Sequence, residues 1–328
     1  MSTPTTVLPA LPPIARRIRA YFAPVDRVRQ QPTLFDPAVH GQFALDTPPS
    51  PWIDLGWIEE FTRKSTSRFG QLLTGSPGTT QQQVRESIDA TVSFRFRTWS
   101  KLSMALAAGS EHMNLIAPGA GGAANGSGSK GAPAVSLVSG STATFLAMSA
   151  SDAATFATGW LVVVDADYAG QAGFVGSGVA AAFVRSAAAV NNDADYVRRV
   201  SFNVARVAAV VLGSAPGLQL AQPLIAGAPA AGMRVQPIVG FVDREGGSFF
   251  QEWSALFAVA GEQGERILFH YPRLQATCGA AETSAILAGP LERIALNASF
   301  RALPVADAND GAQVVCFRSF LPSANTLV

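Results

Sequence analysis

Three histidines, His40, His112 and His270, carry the most versatile chemistry in the chain, and their spacing keeps them apart. None has a Cys or His partner at the short intervals a zinc site requires. His270 lies between Phe269 and Tyr271, on the strand face opposite Phe269, and reads as a packed histidine, not a general base. Asp165, Asp167, Asp193 and Asp195 offer oxygen ligands for a hard cation. They lack EF-hand spacing and stand where apolar runs end, so ordinary turn chemistry is expected of them. Residues 118–134 (PGAGGAANGSGSKGAPA) bring glycines and Lys130 together as a phosphate loop would. Lys130 follows Ser129 without closing a GxxxxGKS or GxxxxGKT pattern, and no strand leads into the run, so it reads as a linker. HExxH, GxSxG, GxGxxG and CxxC do not occur in a suitable context. No catalytic residue, metal ligand or cofactor is expected, and the chain does not read as an enzyme.

The elements that hold these residues are built from an unusual composition. Of 328 residues, 48% are hydrophobic and only 14% charged, so much of the surface is expected to lie against other protein. Lys plus Arg number 24 against 23 Asp plus Glu, a net charge of +1, which argues against holding nucleic acid by phosphate neutralisation. The apolar run from Gly178 to Val190 is short and interrupted by Arg185, well below the roughly 18 residues of a membrane span. Met1 to Arg27, with Pro9, Pro12, Pro13, Arg16, Arg17 and Arg19, lacks the apolar core of a signal peptide. Two cysteines, Cys278 and Cys316, are too few for a disulfide framework and suit reduced thiols of a cytoplasmic product.

Residues 1–50 form a proline-rich arm whose single helical candidate is Ile14 to Phe22. Ser87 to Arg97 alternates strictly, with Ile88, Ala90, Val92, Phe94 and Phe96 on one face and Asp89, Thr91, Ser93, Arg95 and Arg97 on the other. This predicts a half-buried antiparallel strand. A helix follows, with Thr98 or Ser100 as cap, Leu102, Ala105 and Leu106 at helical spacing, and Gly109 as the stop. Between Val135 and Leu224, short apolar runs separated by turn residues predict a small antiparallel barrel or sandwich. Ile267 to Leu274 is a further strand in which Pro272 suggests an end or an edge. Leu291 to Ala302 alternates again, with Ile294, Leu296, Ala298, Phe300 and Ala302 opposed to Arg293, Asn297, Ser299 and Arg301, and a last strand is expected near Gln313 to Phe320.

The two alternating strands echo each other 206 positions apart: Ile88 matches Ile294, and Ser93-Phe94-Arg95 matches Ser299-Phe300-Arg301. A second pair, Gly56-Trp57-Ile58-Glu59 and Gly240-Phe241-Val242-Asp243, stands 184 apart. An ordered repeat of this kind predicts two copies of one β-module.

The run Ile53-Asp54-Leu55-Gly56-Trp57-Ile58-Glu59, the polar strand after it, the turn Thr74-Gly75-Ser76-Pro77-Gly78, the alternating strand and the helix from Trp99 to Ala108 resemble the major tail tube proteins of long-tailed bacteriophages. Gly240 to Gln275 with the strand Glu292 to Ala302 is similar to a tube segment as well. The resemblance covers about half of the chain and lies in the order of elements.

It implies a mainly β protein with a few helices, in which two tail-tube modules, residues 51–117 and 226–328, flank the linker 118–134 and a central barrel 135–225, behind the arm 1–50. Strands of each module would join an inter-subunit β-barrel through Ile88, Val92, Phe94, Phe96, Ile294, Leu296 and Phe300. The polar face Asp89, Ser93, Arg95, Arg97, Asn297 and Arg301 is the candidate lumen; either its arginines pair with carboxylates across strands, or that face is not the lumen. Ser76, Pro77 and Gly78 would reach the next ring. The chain's main partner would be itself, as a trimeric ring with pseudo-six-fold symmetry, then as a hexamer, stacked axially. Tape measure, tail terminator and distal tail proteins would be further partners. Double-stranded DNA would pass through without specific binding, no membrane would be involved, and the protein would reside in the virion tail after assembly in the bacterial cytoplasm. The alternative is a trimeric baseplate or receptor-binding protein that does not polymerise.

Overall fold

The computed structural model describes residues 15–25, 31–117, 132–165, 203–244, 252–262, 264–277, 281–288 and 291–323. In chain order the elements are β1 (Ala15–Pro24), α1 (Pro37–His40), β2 (Ile53–Thr74), β3 (Thr79–Phe96), α2 (Lys101–Ala108), β4 (Glu111–Ile116), β5 (Val135–Ser136), β6 (Phe145–Ala147), α3 (Ala150–Ala153), β7 (Leu161–Asp165) and β8 (Val204–Val211). They continue with β9 (Gly217–Leu220), β10 (Arg234–Arg244), β11 (Glu252–Gly261), β12 (Arg266–Ala276), β13 (Ala281–Ala288), β14 (Leu291–Ala302), β15 (Val305–Ala306), β16 (Gln313–Val314) and β17 (Phe317–Leu321). The protein is mainly β with three helices among the described residues. No helix there is long and apolar enough to cross a membrane.

The chain forms two compact units. Unit 1 comprises Met1–Val25, Gln30–Gly109 and Gln251–Val328. Its sheet has the strand order β13-β14-β3-β2-β1-β11-β12-β17, and a further pairing of β12 with β14 closes a ring of six strands. All the pairings are antiparallel. The residues expected to make two modules therefore make one barrel, because β3 finds its second neighbour in β14 and not in a strand of its own half. Residues 51–117 and 226–328 are also divided differently: β4 and β10 belong to unit 2, so Gly240 to Asp243 lies in another sheet from Gly56 to Glu59.

β1 replaces the helix expected at Ile14 to Phe22. Ala20 and Phe22 point into the barrel and Tyr21 points out, a period of two that suits a strand between β2 and β11. The barrel interior is filled. Phe22 lies 5.6 Å from Phe300 and 6.3 Å from Phe94 between ring centroids, while Phe94 stacks on Phe300 at 5.7 Å and meets Phe257 at 5.4 Å. Small barrels of about eight strands or fewer have room inside only for side chains, and these aromatics supply them.

On the outer side of β1, β11 and β12, Phe35, Phe43, Leu45 and Trp52 cover Tyr21, Leu256, Ala258 and Leu268. This double coverage explains why eight successive residues of β11, from Glu252 to Val259, are buried. Pro272 lies within β12 and not at its end. The register shifts opposite it between Trp253 and Ala255, and its carbonyl accepts a hydrogen bond from Ser254 Oγ at 2.7 Å, so it occupies an irregularity where no ladder donor is required. The helix α2 begins at a Ser100–Ser103 capping box and ends at Gly109 in the left-handed conformation, as the sequence indicates.

Unit 2, Asp26–Arg29 with Ser110–Phe250, holds a sheet of order β4-β10-β7-β8-β9-β6, with β5 on β10. Leu146, Phe156, Val162, Val164, Val207, Leu218 and Val235 form its core. Of the expected features, residues 118–131, Asp167, Asp193, Asp195 and the runs 178–190 and 197–202 lie outside the described residues.

Candidate functional site

Beyond the barrel, β2 and β3 run on as a two-stranded arm. β1 pairs with β2 only as far as Ile58, and β14 pairs with β3 only from Thr91 to Phe96. From Ser65 to Thr74 and from Thr79 to Ala90 the two strands pair with each other alone. At about 3.4 Å per residue this ribbon is roughly 40 Å long. Both of its outer edges lack a strand partner among the described residues.

Its side chains are exposed on both faces. Phe69 and Leu73, on one face, are 49% and 58% accessible, and Leu72 and Val84, on the other, 54% and 57%. Phe69 is flanked by Arg85, whose guanidinium carbon lies 5.7 Å from the ring centre. An isolated two-stranded ribbon is marginal in water, and this one carries five exposed apolar side chains, Ile88 included.

The root of the arm is fixed. Phe61 packs 4.8 Å from Phe257 at the barrel mouth, and Arg63 donates from Nε to Tyr271 Oη at 3.0 Å while lying 4.9 Å over the Phe269 ring. The Tyr271 hydroxyl is pushed up to about 12, mainly by burial, against the opposing pull of Arg63. Burial also raises the pKa of the Cys316 thiol, against the opposing pull of Arg63. At the bend, Glu60 has a φ of 55°, in the left-handed region, beside the register shift between Glu59 and Thr62. Arg95 spans this bend, 2.9 Å from carboxylate oxygens of both Glu59 and Glu60. A side chain on β3 thereby links both residues of the bend in β2.

The structure distributes the expected interface residues unevenly. Val92, Phe94, Phe96, Leu296 and Phe300 are buried in the chain's own barrel, where no neighbour reaches them. Ile88 is 37% exposed, because β14 ends opposite Thr91 and leaves it on the arm. The side chain of Ile294 lies outside those described. The polar face is coherent: Arg95 and Arg97 both meet Glu59, and Arg301 Nε lies 3.2 Å from Asp89. Ser93 faces Ser299, and Arg95 faces Asn297. These arginines do pair with carboxylates across strands. Thr74 to Thr79 forms the turn at the tip, so Ser76, Pro77 and Gly78 are the far end of the arm.

The sequence concealed a second polar cluster. Arg19 chelates Asp54, with Nε donating to Oδ1 at 2.8 Å, and Trp57 lies 5.6 Å from Arg17 and 5.2 Å from Arg19. No His/Cys/Asp/Glu group fit to hold a metal occurs among the described residues. His270 is packed: Nε2 lies 3.3 Å from the Thr33 carbonyl, the ring stacks on Phe317, and burial pushes its pKa down to about 4.

No protein-family model matches the chain, and no curated protein matches it.

Proposed function

We propose that the chain is a self-assembling structural subunit whose copies join side by side into rings and stack into a hollow tube, the tail tube of a long-tailed bacteriophage. The observation that carries this reading is the β2–β3 arm, a long ribbon with two unpaired edges and apolar side chains on both faces.

The free edges have the right sense for a ring. Across β13-β14-β3-β2 the strands alternate in direction, and the outer edge of β13 and the distal outer edge of β2 face opposite ways. A neighbour related by rotation therefore sets its β13 beside β2 with the antiparallel alternation unbroken, and closure of the ring leaves no edge. Each chain contributes four strands. Three chains would give twelve, between the roughly eight that close on side chains and the 16–18 that leave an aqueous channel. Six chains give twenty-four, wide enough for a duplex, so a six-membered ring is favoured over a trimer. One barrel per chain supports the same choice, since the case for three chains rested on two modules in each. The polar face bearing Ser93, Arg95, Asn297 and Arg301 would then line the lumen, with its arginines offset by Glu59, Glu60 and Asp89 so that DNA passes without being gripped.

Negative-stain microscopy of the purified chain tests this. Rings or tubes are the expected result. A closed trimer that never polymerises would favour the receptor-binding alternative, and a strictly monomeric chain at high concentration would remove both.

A further inference from the structure

A cavity of about 340 Å³ lies in unit 1, lined by residues of β12 and β17 and by the segment around Phe35. Leu34, Phe35, Leu268 and Phe317 give it apolar and aromatic walls. Asn309, Arg318 and Ser319 add N–H and O–H donors to the lining. Asp307 also lines it, but its Oδ1 already accepts from the Asn309 amide N–H at 2.9 Å and from Asn309 Nδ2 at 3.0 Å. With Asp307 offsetting the charge of Arg318, the lining suits an uncharged occupant with apolar side chains and backbone carbonyls to accept from the donors.

The chain itself contains such an occupant. Residues 1–14 (MSTPTTVLPALPPI) precede β1, lie outside the described residues, and include no Lys, Arg, Asp or Glu. Pro9, Pro12 and Pro13 favour the polyproline II conformation, and each proline also holds the residue before it extended. With three residues per turn, that conformation puts Leu8, Leu11 and Ile14 on one face and leaves its carbonyls without internal partners. Segments of this kind dock in aromatic-lined grooves at a low ordering cost.

The start of β1 also stands within reach. Ala15 pairs with Gly261 on β11, and further along that strand Ala258 and Leu256 face the cavity residues Leu268 and His270 on β12. Two strand spacings across and three to five residues along put the cavity roughly 15–20 Å from Ala15. As polyproline II, the chain from Leu8 to Ala15 spans about 22 Å, at roughly 3.1 Å per residue.

We propose that this cavity is a docking site for the N-terminal segment of the same chain, with Leu8 inserted beside Phe35 and Leu268, Leu11 covering the rim, and segment carbonyls accepting from Arg318 and Ser319. The short tether holds the segment at an effective concentration of about millimolar, which favours the chain's own segment over a neighbour's. The proposal does not rest on tube assembly.

The test places the photo-cross-linker p-benzoylphenylalanine at position 10 of the full chain, in place of Ala10. After irradiation, products are separated by denaturing electrophoresis and mapped by mass spectrometry. The expected product is a cross-link within one chain to a peptide containing Phe35 or Phe317. Adding Leu8→Asp and Leu11→Asp is expected to lower its yield at least fivefold. Cross-links solely to other parts of the molecule, a product found solely between two chains, or a yield unchanged by the two aspartates would each overturn the proposal. Negative-stain images of the same sample report assembly separately, so the failure of one reading is not mistaken for the failure of the other.

Discussion

Ser93 on β3 and Ser299 on β14 are direct cross-strand partners, although 206 residues separate them. They are also the equivalent residues of the internal echo, so a local two-fold axis passes between them. Around it Val92 faces Phe300 and Phe94 faces Ala298, and the matched phenylalanines, Phe94 and Phe300, stack inside the barrel. The echo therefore marks two halves of one wall. This pairing joins the N-terminal and C-terminal segments of unit 1 at the base of the arm.

The stacked pair should dominate the stability of unit 1. Phe94→Ala is expected to cost about 3–5 kcal/mol, and Phe300→Ala a similar amount. The double variant should lose less than the sum, because each ring forms part of the other's cavity. Denaturant titration of the three variants measures this.

Glu60 holds a left-handed backbone at the bend where the arm begins. Glu60→Gly is expected to stabilise the chain by about 0.5 kcal/mol, and Glu60→Val to destabilise it by about 1 kcal/mol. Loss of the exposed Glu60 carboxylate matters little, since Arg95 retains Glu59. Thermal melts of both variants check the order Gly above Glu above Val.

His270 makes stability sensitive to acid. Its folded pKa is depressed from 6.5 to about 4, so between those values the unfolded chain binds a proton that the folded chain does not. Stability should be unaffected by this group above pH 6.5 and should fall as the pH drops toward 4, by on the order of 3 kcal/mol. His270→Gln is expected to flatten that part of the profile whatever its effect at neutral pH, as read from denaturation midpoints between pH 7 and pH 4.

Much of this architecture was legible in the residues, and the misreadings have physical causes. Leu291 to Ala302 emerges as a strand with its predicted bounds, because strict alternation needs no knowledge of partners. Ser100 and Gly109 bracket α2 by local chemistry alone. The stretch from Ala15 to Pro24 misled because Arg16, Arg17 and Arg19 resemble a helix face, whereas β1 is fixed by β2 and β11, remote in sequence. Ile88 shares its pattern with Phe94, yet one is exposed and the other buried, since where β14 ends is a tertiary fact. For the same reason the sequence showed the strands of the arm but not that they leave the barrel.

Substitutions on the arm should separate folding from association. Phe69→Glu and Leu73→Glu remove exposed apolar surface, so each should change the melting temperature little, within about 0.5 kcal/mol of stability. Both should weaken self-association, as measured by sedimentation velocity over a concentration series.

The central claim is that the arm joins copies of the chain. Its most direct test replaces residues 67–88 by a two-residue Asn-Gly turn between the paired Thr66 and Asp89, and compares this variant with the full chain by sedimentation and negative-stain microscopy. The account predicts rings or tubes for the full chain, and a folded monomer with an unchanged melting temperature for the shortened one. A full chain that stays monomeric, or a shortened chain that assembles as well as the full one, would contradict it.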